Sequence, residues 1–147
     1  MSLENHVKAK FKSPLQKAII NIRFTSNWIG NYHNNQLANF GLTLPQFNIL
    51  RILRGAKEPL SINLVRERML EKSPNVTRLV DKLIQKEMVT RDRAKKDKRV
   101  IKLHITEQGL QTLAQLDQVF DDINASNLLT EEEANQLNHL LDKLRGE

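Results

Sequence analysis

The chain has 147 residues, about the size of one domain with its own core, and it contains no cysteine, which excludes disulfides, thiolate zinc sites and thiol-based redox sensing. Its formal net charge of +6 is typical of proteins that bind a polyanion. No apolar run approaches the roughly 18 residues that cross a bilayer, and residues 1–13 lack the apolar segment of a signal peptide, so we expect a cytoplasmic protein without membrane contact.

The first long helix is predicted to begin at Ser13 and Pro14, an N-cap residue followed by a residue suited to the first turn. Apolar residues then recur at helical spacing until Asn39–Gly41. They are Leu15, Ala18, Ile19, Ile22, Ile29 and Tyr32. This helix is long and apolar enough to pack against a second helix along one face.

Two shorter helices are predicted next. Thr43 and Gln46 have the three-residue spacing of a capping box, and Gly55 is positioned to end the helix that they begin. Pro59 then interrupts the chain, and Ser61 can cap a third helix.

A fourth helix is predicted to open at Ser73 and Pro74 and to run to Lys86. Its apolar residues recur at i, i+3, i+4, i+7 and i+8 and form one stripe, so the opposite face must meet solvent or a partner. The stripe is Val76, Leu79, Val80, Leu83 and Ile84, and the outward residues are Asn75, Thr77, Arg78, Asp81, Lys82 and Gln85.

The period of the pattern changes from helical to two residues after this helix. Ile101, Leu103 and Ile105 alternate with polar residues, which predicts a half-buried strand. Met88–Arg91 can form its antiparallel partner, and Asp92–Lys98 is then the hairpin loop.

Two helices are predicted to complete the chain, which from Leu103 onward carries nine acids and two cations. Thr106 can cap a helix that runs to about Phe120, and Thr130 with Glu133 has the form of a capping box for the last helix. The last helix carries an apolar stripe of Leu137, Leu140, Leu141 and Leu144. A helix this short is not stable alone, so the stripe is buried either within one chain or, as we expect, in a dimer.

The third and fourth predicted helices, Ser61–Met69 and Pro74–Lys86, form a helix-turn-helix, and the basic hairpin after them is a wing. The predicted fold class is therefore mainly α with a small β-hairpin wing. In a helix-turn-helix the first turns of the second helix reach base edges, where Arg can bind guanine, Asn can bind adenine, and Thr can contact thymine or a phosphate. The free N–H groups at the helix start favour a phosphate oxygen. The DNA-binding candidates on this helix are Ser73, Asn75, Thr77, Arg78 and Lys82.

The segment Arg91–Lys102 carries seven cations and two acids. A cationic hairpin tip fits the minor groove, where Arg responds to groove width more than to base identity. We expect Asp97 to pair with Arg99 and to hold its guanidinium in position. From charge alone, a solvated basic loop is an equally good interpretation. The wing candidates for DNA binding are Arg93, Lys95, Lys96, Asp97, Lys98 and Arg99.

Four stretches occur in order between about residues 42 and 144: LTLPQFNILRIL, SPNVTRLVDKLIQKEMVTR, DKRVIKLHITEQG and LTEEEANQLNHLLDKL. In order and spacing they resemble the MarR family of bacterial transcriptional regulators. The resemblance implies a winged-helix homodimer whose first and last helices intertwine and which binds a pseudo-palindromic operator in double-stranded DNA, most simply as a repressor. Residues 1–147 would then be a single domain, with a helical dimerisation region at 1–40 and 107–147 and a winged helix-turn-helix lobe at 41–106.

The resemblance also assigns roles by position. It implies that Asn75, Thr77 and Arg78 read the major groove and that Arg99 enters the minor groove, oriented by Asp97. Many family members release DNA when a small aromatic, phenolic or other anionic ligand binds between the dimer region and the DNA-binding lobe. We therefore regard such an effector as a candidate partner, with no residues assigned to it.

This chain departs from the family pattern at Glu87, where the family often has glycine before the first wing strand. If that position is left-handed, a non-glycine residue costs about 1 kcal/mol. The absence of cysteine excludes the branch of the family that senses peroxides through a thiol.

Other functions find less support in the sequence. G-x-S-x-G, P-loop and H-E-x-x-H motifs are missing, so we expect neither enzymatic activity nor a cofactor. The four histidines, His6, His33, His104 and His139, lack metal-ligand spacing, which leaves a regulatory metal as a minor alternative. Trp28 and Tyr32 can line a pocket, although packing explains them as well. The main rival to DNA binding is a winged helix that binds another protein.

Overall fold

The computed structural model describes residues 3–8, 10–56, 58–69, 74–93, 101–125 and 128–147, with only the backbone of Arg93 and of residues 121–125. Its helices and strands are α1 (Leu3–Val7), α2 (Pro14–Ala38), α3 (Leu44–Ala56), β1 (Leu60–Ser61), α4 (Ile62–Arg68), α5 (Val76–Gln85), β2 (Val89–Arg93), β3 (Ile101–Ile105), α6 (Glu107–Ala125) and α7 (Glu131–Arg145). The predicted fold class, mainly α with a small β wing, is confirmed.

The three strands form one antiparallel sheet in the order β1-β3-β2. The register pairs Val89 with Ile105 and Arg91 with Leu103, so these four residues lie on one face of the hairpin. On β1, Leu60 also pairs with Leu103. Leu60, Val89 and Leu103 are buried, which shows that this face of the sheet packs against the core.

Helix α3 lies at the centre of the winged lobe, where it contacts α2, α4, α5 and β3. Its residues Ile49 and Leu50 are completely buried. The other fully buried large side chains come from the elements around it: Leu37, Leu60, Val65, Val76, Val80, Leu83, Val89, Leu103, Leu113 and Leu116. The core therefore holds α5 and the wing on a common support.

Several predicted helix starts are confirmed by hydrogen bonds. The Ser13 hydroxyl accepts from Gln16 N–H at 3.1 Å, and the Ser61 hydroxyl accepts from Leu64 N–H at 3.3 Å. At the start of α7, Thr130 and Glu133 form both halves of the predicted capping box. Such contacts satisfy N–H groups that a helix start otherwise leaves unpaired.

Four boundary predictions are wrong in detail. Helix α3 continues through Gly55 to Ala56, because Gly55 does not adopt the left-handed conformation that ends a helix. Helix α5 begins at Val76 and not at Pro74, because the backbone of Asn75 (φ −112°, ψ 34°) lies outside the helical region and makes Asn75 the N-cap. Helix α6 continues past Phe120 to Ala125.

The fourth boundary error concerns the hairpin. Asp92 and Arg93 belong to β2 and not to the loop, because they pair in register with Lys102 and Ile101. Opposite charges on the directly paired Asp92 and Lys102 favour this extension of the ladder.

No local pattern in the sequence predicted α1 or β1. Leu3 of α1 is buried, Glu4 forms an ion pair with Lys17 at 2.5 Å, and the rings of His6 and Phe24 lie 5.1 Å apart. Helix α1 is therefore fixed on α2 by contacts between the two helices and not by its own sequence pattern.

The chain forms two compact units, one up to Leu116 and one from Asp117 onward. This division differs from the predicted lobe and dimerisation regions, whose boundaries stay a prediction. Within the described ranges, each helix is too short or too polar to cross a membrane.

Candidate nucleic-acid interface

Helix α5 separates a buried face from an exposed one. Val76, Val80 and Leu83 are fully buried, as their helical spacing predicts. Thr77, Arg78 and Lys82 are exposed on the opposite side, and we call these three residues the reading face. The core thus fixes the rotation of α5, and with it the direction in which the reading face points.

The N-terminus of α5 has first-turn N–H groups that can bind an anion. Asn75 is the N-cap, its carbonyl accepts from Leu79 N–H at 3.1 Å, and its side chain makes no capping hydrogen bond. The N–H groups of the first turn therefore point out of the helix start without a cap from Asn75, an arrangement suited to a phosphate oxygen. Ser73, which we predicted as the cap, lies outside the described residues.

The C-terminus of α5 ends in a Schellman motif. Met88 N–H donates to Leu83 O at 3.0 Å, and Glu87 N–H donates to Ile84 O at 2.9 Å. Glu87 takes the left-handed conformation with φ 58°, so the condition under which a non-glycine residue is costly at this position is met. A glutamate therefore occupies a conformation that glycine adopts at lower cost.

The first turn of α6 makes hydrogen bonds to the turn that ends α5, and we call these hydrogen bonds the clasp. Thr106 donates from its hydroxyl to Glu87 O at 2.7 Å and from its N–H to Met88 O at 3.0 Å, and Gln108 Nε2 donates to Lys86 O at 3.2 Å. The Thr106 hydroxyl also accepts from Gly109 N–H, which caps α6. These contacts explain the spacing Thr-x-x-Gly in the sequence and set the position of α5 relative to the start of α6.

The wing is connected to α5 by an ion pair that the sequence analysis missed. Arg91 Nη1 on β2 lies 3.3 Å from Asp81 Oδ1 on α5, with both side chains about half exposed. On the other face of the hairpin, His104 Nε2 lies 3.4 Å from Asp92 Oδ2. The Arg91–Asp81 pair places the cationic strand β2 directly beside the reading face.

The candidate residues fall into three groups. Thr77, Arg78 and Lys82 share the reading face, and Asn75 caps the helix beside them. Arg93 lies at the end of β2, opposite Ile101. The remaining candidates lie outside the described residues: Ser73, Lys95, Lys96, Asp97, Lys98 and Arg99.

The described ranges contain no cluster of three or more His, Asp or Glu side chains that could hold a metal ion. One open cavity of about 280 Å³ lies between α3, β3 and the start of α6. It is lined by Leu53, Arg54, Glu58, Pro59, Leu103, His104, Ile105 and Leu110.

Known proteins resemble the chain in both sequence and fold. The sequence profile of the MarR family matches residues 42–101. The HTH-type transcriptional regulator MgrA of Staphylococcus aureus is 26% identical over 113 residues, which cover 77% of this chain and 76% of MgrA.

Solved structures of other proteins share the fold. A MarR-like transcription regulator from Bacillus cereus has a TM-score of 0.78 at 20% identity, over 89% of this chain and 95% of that one. The S. aureus MepR–DNA complex has a TM-score of 0.77 at 22% identity, over 88% and 96% of the two chains.

The matched profile covers the central helix α3, the helix-turn-helix formed by α4 and α5, and the first wing strand β2. Members of this family are transcription regulators and not enzymes, which confirms the expectation drawn from the missing catalytic motifs. The reading face, the hydrogen bonds between α5 and α6 and these matches agree, and over residues 42–101 the chain is similar to the MarR family of transcriptional regulators.

Proposed function

We propose that this regulator binds a pseudo-palindromic operator in double-stranded DNA as a homodimer and represses transcription from it. The observation that carries the proposal is the reading face: exposed Thr77, Arg78 and Lys82 on a helix that the core holds rigidly, next to the cationic strand β2. DNA phosphates attract such a surface regardless of sequence, and the side chains of the first turns add contacts to bases.

In this proposal Arg78 binds guanine through two hydrogen bonds, Asn75 binds adenine, and Thr77 contacts thymine or a phosphate. Lys82, one turn further along α5, binds the DNA backbone. The fold is shared with MepR, which has been solved bound to DNA. We further propose that the wing residues Arg93, Lys95, Lys96, Lys98 and Arg99 contact the adjacent minor groove, with Asp97 orienting Arg99.

Homodimer formation is supported by two apolar faces that the single chain leaves exposed. On α2 the exposed large apolar side chains are Leu15, Ile19, Ile22, Phe24, Trp28 and Ile29. On α7 they are Leu137, Leu140 and Leu144, with exposed fractions of 46%, 54% and 48%. Exposed apolar side chains in this number on one helix mark an interaction site, and a second copy of the chain would cover them under two-fold symmetry.

Release by a small aromatic or other anionic effector completes the proposal. The cavity between α3, β3 and α6 has apolar walls at Leu53 and Leu110, and its charged or titratable lining residues are Arg54, His104 and the single acid Glu58. That combination suits a small aromatic carboxylate or phenolate. A ligand there would contact β3 of the wing and α6 next to its clasp on α5, so it could change the position of the reading face.

The proposal is tested by selecting from a pool of random duplexes with the purified protein at two salt concentrations, alongside light scattering for mass. We expect enrichment of an inverted repeat by a particle of twice the chain mass of 17.0 kDa. If the dimer neutralises about eight phosphates, log K falls with log salt at a slope of roughly −7. No enrichment, together with a shallow salt dependence, would instead indicate a winged helix whose partner is a protein.

A further inference from the structure

An open cleft between α3 and α4 has a composition that the proposed reading face does not explain. Its volume is about 330 Å³, and its lining residues are Asn48, Arg51, Ile52 and Arg68. Two arginines and one asparagine thus line one space, and these four residues include no carboxylate. Among the residues that the structure describes, the lining carries a formal charge of +2.

The secondary structure places these groups together. Asn48, Arg51 and Ile52 are spaced i, i+3 and i+4 on α3, so they lie on one face of that helix. Arg68 is the last residue of α4, which packs against α3. The Arg51 guanidinium carbon lies 5.7 Å from the centre of the buried Phe47 ring, a cation–π contact that orients this arginine at the edge of the core.

We propose that this cleft is a binding site for a tetrahedral oxyanion and that the oxyanion is a backbone phosphate of DNA. Guanidinium groups match phosphate in geometry and donate several hydrogen bonds to it, and the Asn48 amide adds a further donor. In a helix-turn-helix the first helix crosses the DNA backbone, and here that helix is α4, which ends at Arg68. This inference rests on the proposed DNA-binding function and adds a contact outside the reading face.

The test uses the full chain with Arg51→Gln and Arg68→Gln combined, titrated with a random-sequence duplex over a range of salt concentrations. We expect binding to weaken by about 10- to 100-fold at 0.1 M salt, and the salt slope to become shallower by about 0.9 per protomer, or about 2 per dimer. The loss should be equal on any duplex sequence, because a phosphate contact carries no base information. The control is Arg23→Gln with Lys143→Gln, two exposed cations on α2 and α7 whose loss changes the net charge equally.

The proposal is overturned if the two arginines only stabilise the fold. Arg68 lies in the last turn of α4, where a cation also complements the helix dipole. If that is its role, the double variant loses thermal stability and keeps the wild-type salt slope.

Calorimetry with inorganic phosphate identifies the source of the anion. A wild-type chain that does not bind the duplex contradicts the proposed function. If that chain still releases heat on binding phosphate and the double variant does not, the cleft is an oxyanion site for a free anion. No heat and no change in slope would overturn the site itself.

Discussion

Arg78 is the residue on which sequence readout is expected to depend most. It is exposed in the first turn of α5, and the buried residues Val76 and Val80 on either side hold the backbone that carries it. We predict that Arg78→Ala weakens binding to the selected operator by about 1–3 kcal/mol and relaxes its base preference at one position per half-site. Fluorescence anisotropy with the operator and with single-base variants measures both effects.

Gln85→Ala is the matched control for Arg78→Ala. Gln85 is also exposed on α5 but is its last residue, far along the helix from the turns that reach base edges. Its removal should leave operator binding nearly unchanged. Equal losses for Arg78→Ala on the operator and on an unrelated duplex would show that Arg78 contacts only the backbone.

Glu87 is strained in a way that a single substitution relieves. Because its φ is 58°, a side chain there costs about 1–2 kcal/mol, whereas glycine tolerates this conformation. Glycine also increases the entropy of the unfolded chain, so the expected net gain for Glu87→Gly is about 0.5–1 kcal/mol in the free energy of unfolding. Denaturant titration provides the measurement.

The neighbouring Lys86→Gly serves as control for Glu87→Gly. Lys86 has a φ of −88°, which any residue adopts, so glycine there brings only the entropic cost of about 0.5–1 kcal/mol. A loss of stability in both variants would mean that the Glu87 side chain makes contacts that outweigh the strain.

At the scale of elements, the junction between α5 and α6 leaves no room for a side chain at Gly109. A Cβ there would lie 2.5 Å from Met88 O and 2.8 Å from Ile105 Cγ1. Gly109→Ala is therefore predicted to destabilise the fold by about 1–3 kcal/mol, because the clasp must shift. Gly55→Ala is the control: nothing lies within 4 Å of its Cβ position inside α3, so alanine should stabilise by up to about 1 kcal/mol.

Helix α7 should become sensitive to acid through its capping box. The hydrogen bond from the Thr130 backbone N–H, aided by the Thr130 hydroxyl, lowers the pKa of Glu133 from its ordinary value of 4.5. A carboxyl whose pKa is lowered in the folded state stabilises above its unfolded pKa, and that contribution is lost as the pH falls through the folded value. We expect the melting temperature of Glu133→Gln to depend less on pH than that of the wild type below about pH 4.5.

Glu132→Gln separates the capping contact from net charge, since it removes the same charge from the same turn without touching the capping box. It should retain the part of the acid dependence that comes from Glu133. If Glu132→Gln and Glu133→Gln shift the profile equally, the effect is due to the charge of the helix start and not to the hydrogen bonds.

Local sequence signals predicted those elements whose contacts lie within a few residues. Caps at Ser13, Ser61 and Thr130 and the apolar stripe of α5 act over three or four residues, so they were visible in the sequence. Strand β1 has two residues and exists because Leu60 and Ser61 pair with β3, some forty residues later. A pairing over that distance has no local pattern.

The candidate nucleic-acid interface was also predictable only where its contacts are local in the sequence. The helical spacing of the apolar residues in α5 predicted which side chains face outward, and the reading face follows from it. The Arg91–Asp81 ion pair and the α6 clasp join residues on different elements, so only the fold reveals them. The roles of the wing residues 94–99 stay predictions from the resemblance.

For the whole molecule, the proposed dimer gives the exposed leucines of α7 a function. Leu140 is 54% exposed in the single chain, so Leu140→Glu removes little burial from a monomer but places a charge inside a dimer interface. Asn135→Glu is the matched control, because Asn135 is exposed on the opposite face of the same helix. Light scattering should show half the wild-type mass for Leu140→Glu and the wild-type mass for Asn135→Glu.

Loss of the dimer should also weaken DNA binding, although Leu140 lies outside the reading face. A two-fold dimer places two recognition helices about 34–36 Å apart, so that the second half-site binds within one complex. We therefore expect Leu140→Glu to lose at least about 100-fold in operator affinity and to bind a single half-site as the wild-type monomer would. Insertion of five base pairs between half-sites should have a similar effect on the wild type, because it rotates one half-site to the opposite face of the duplex. A monomeric Leu140→Glu variant with full operator affinity would show that each chain binds DNA independently.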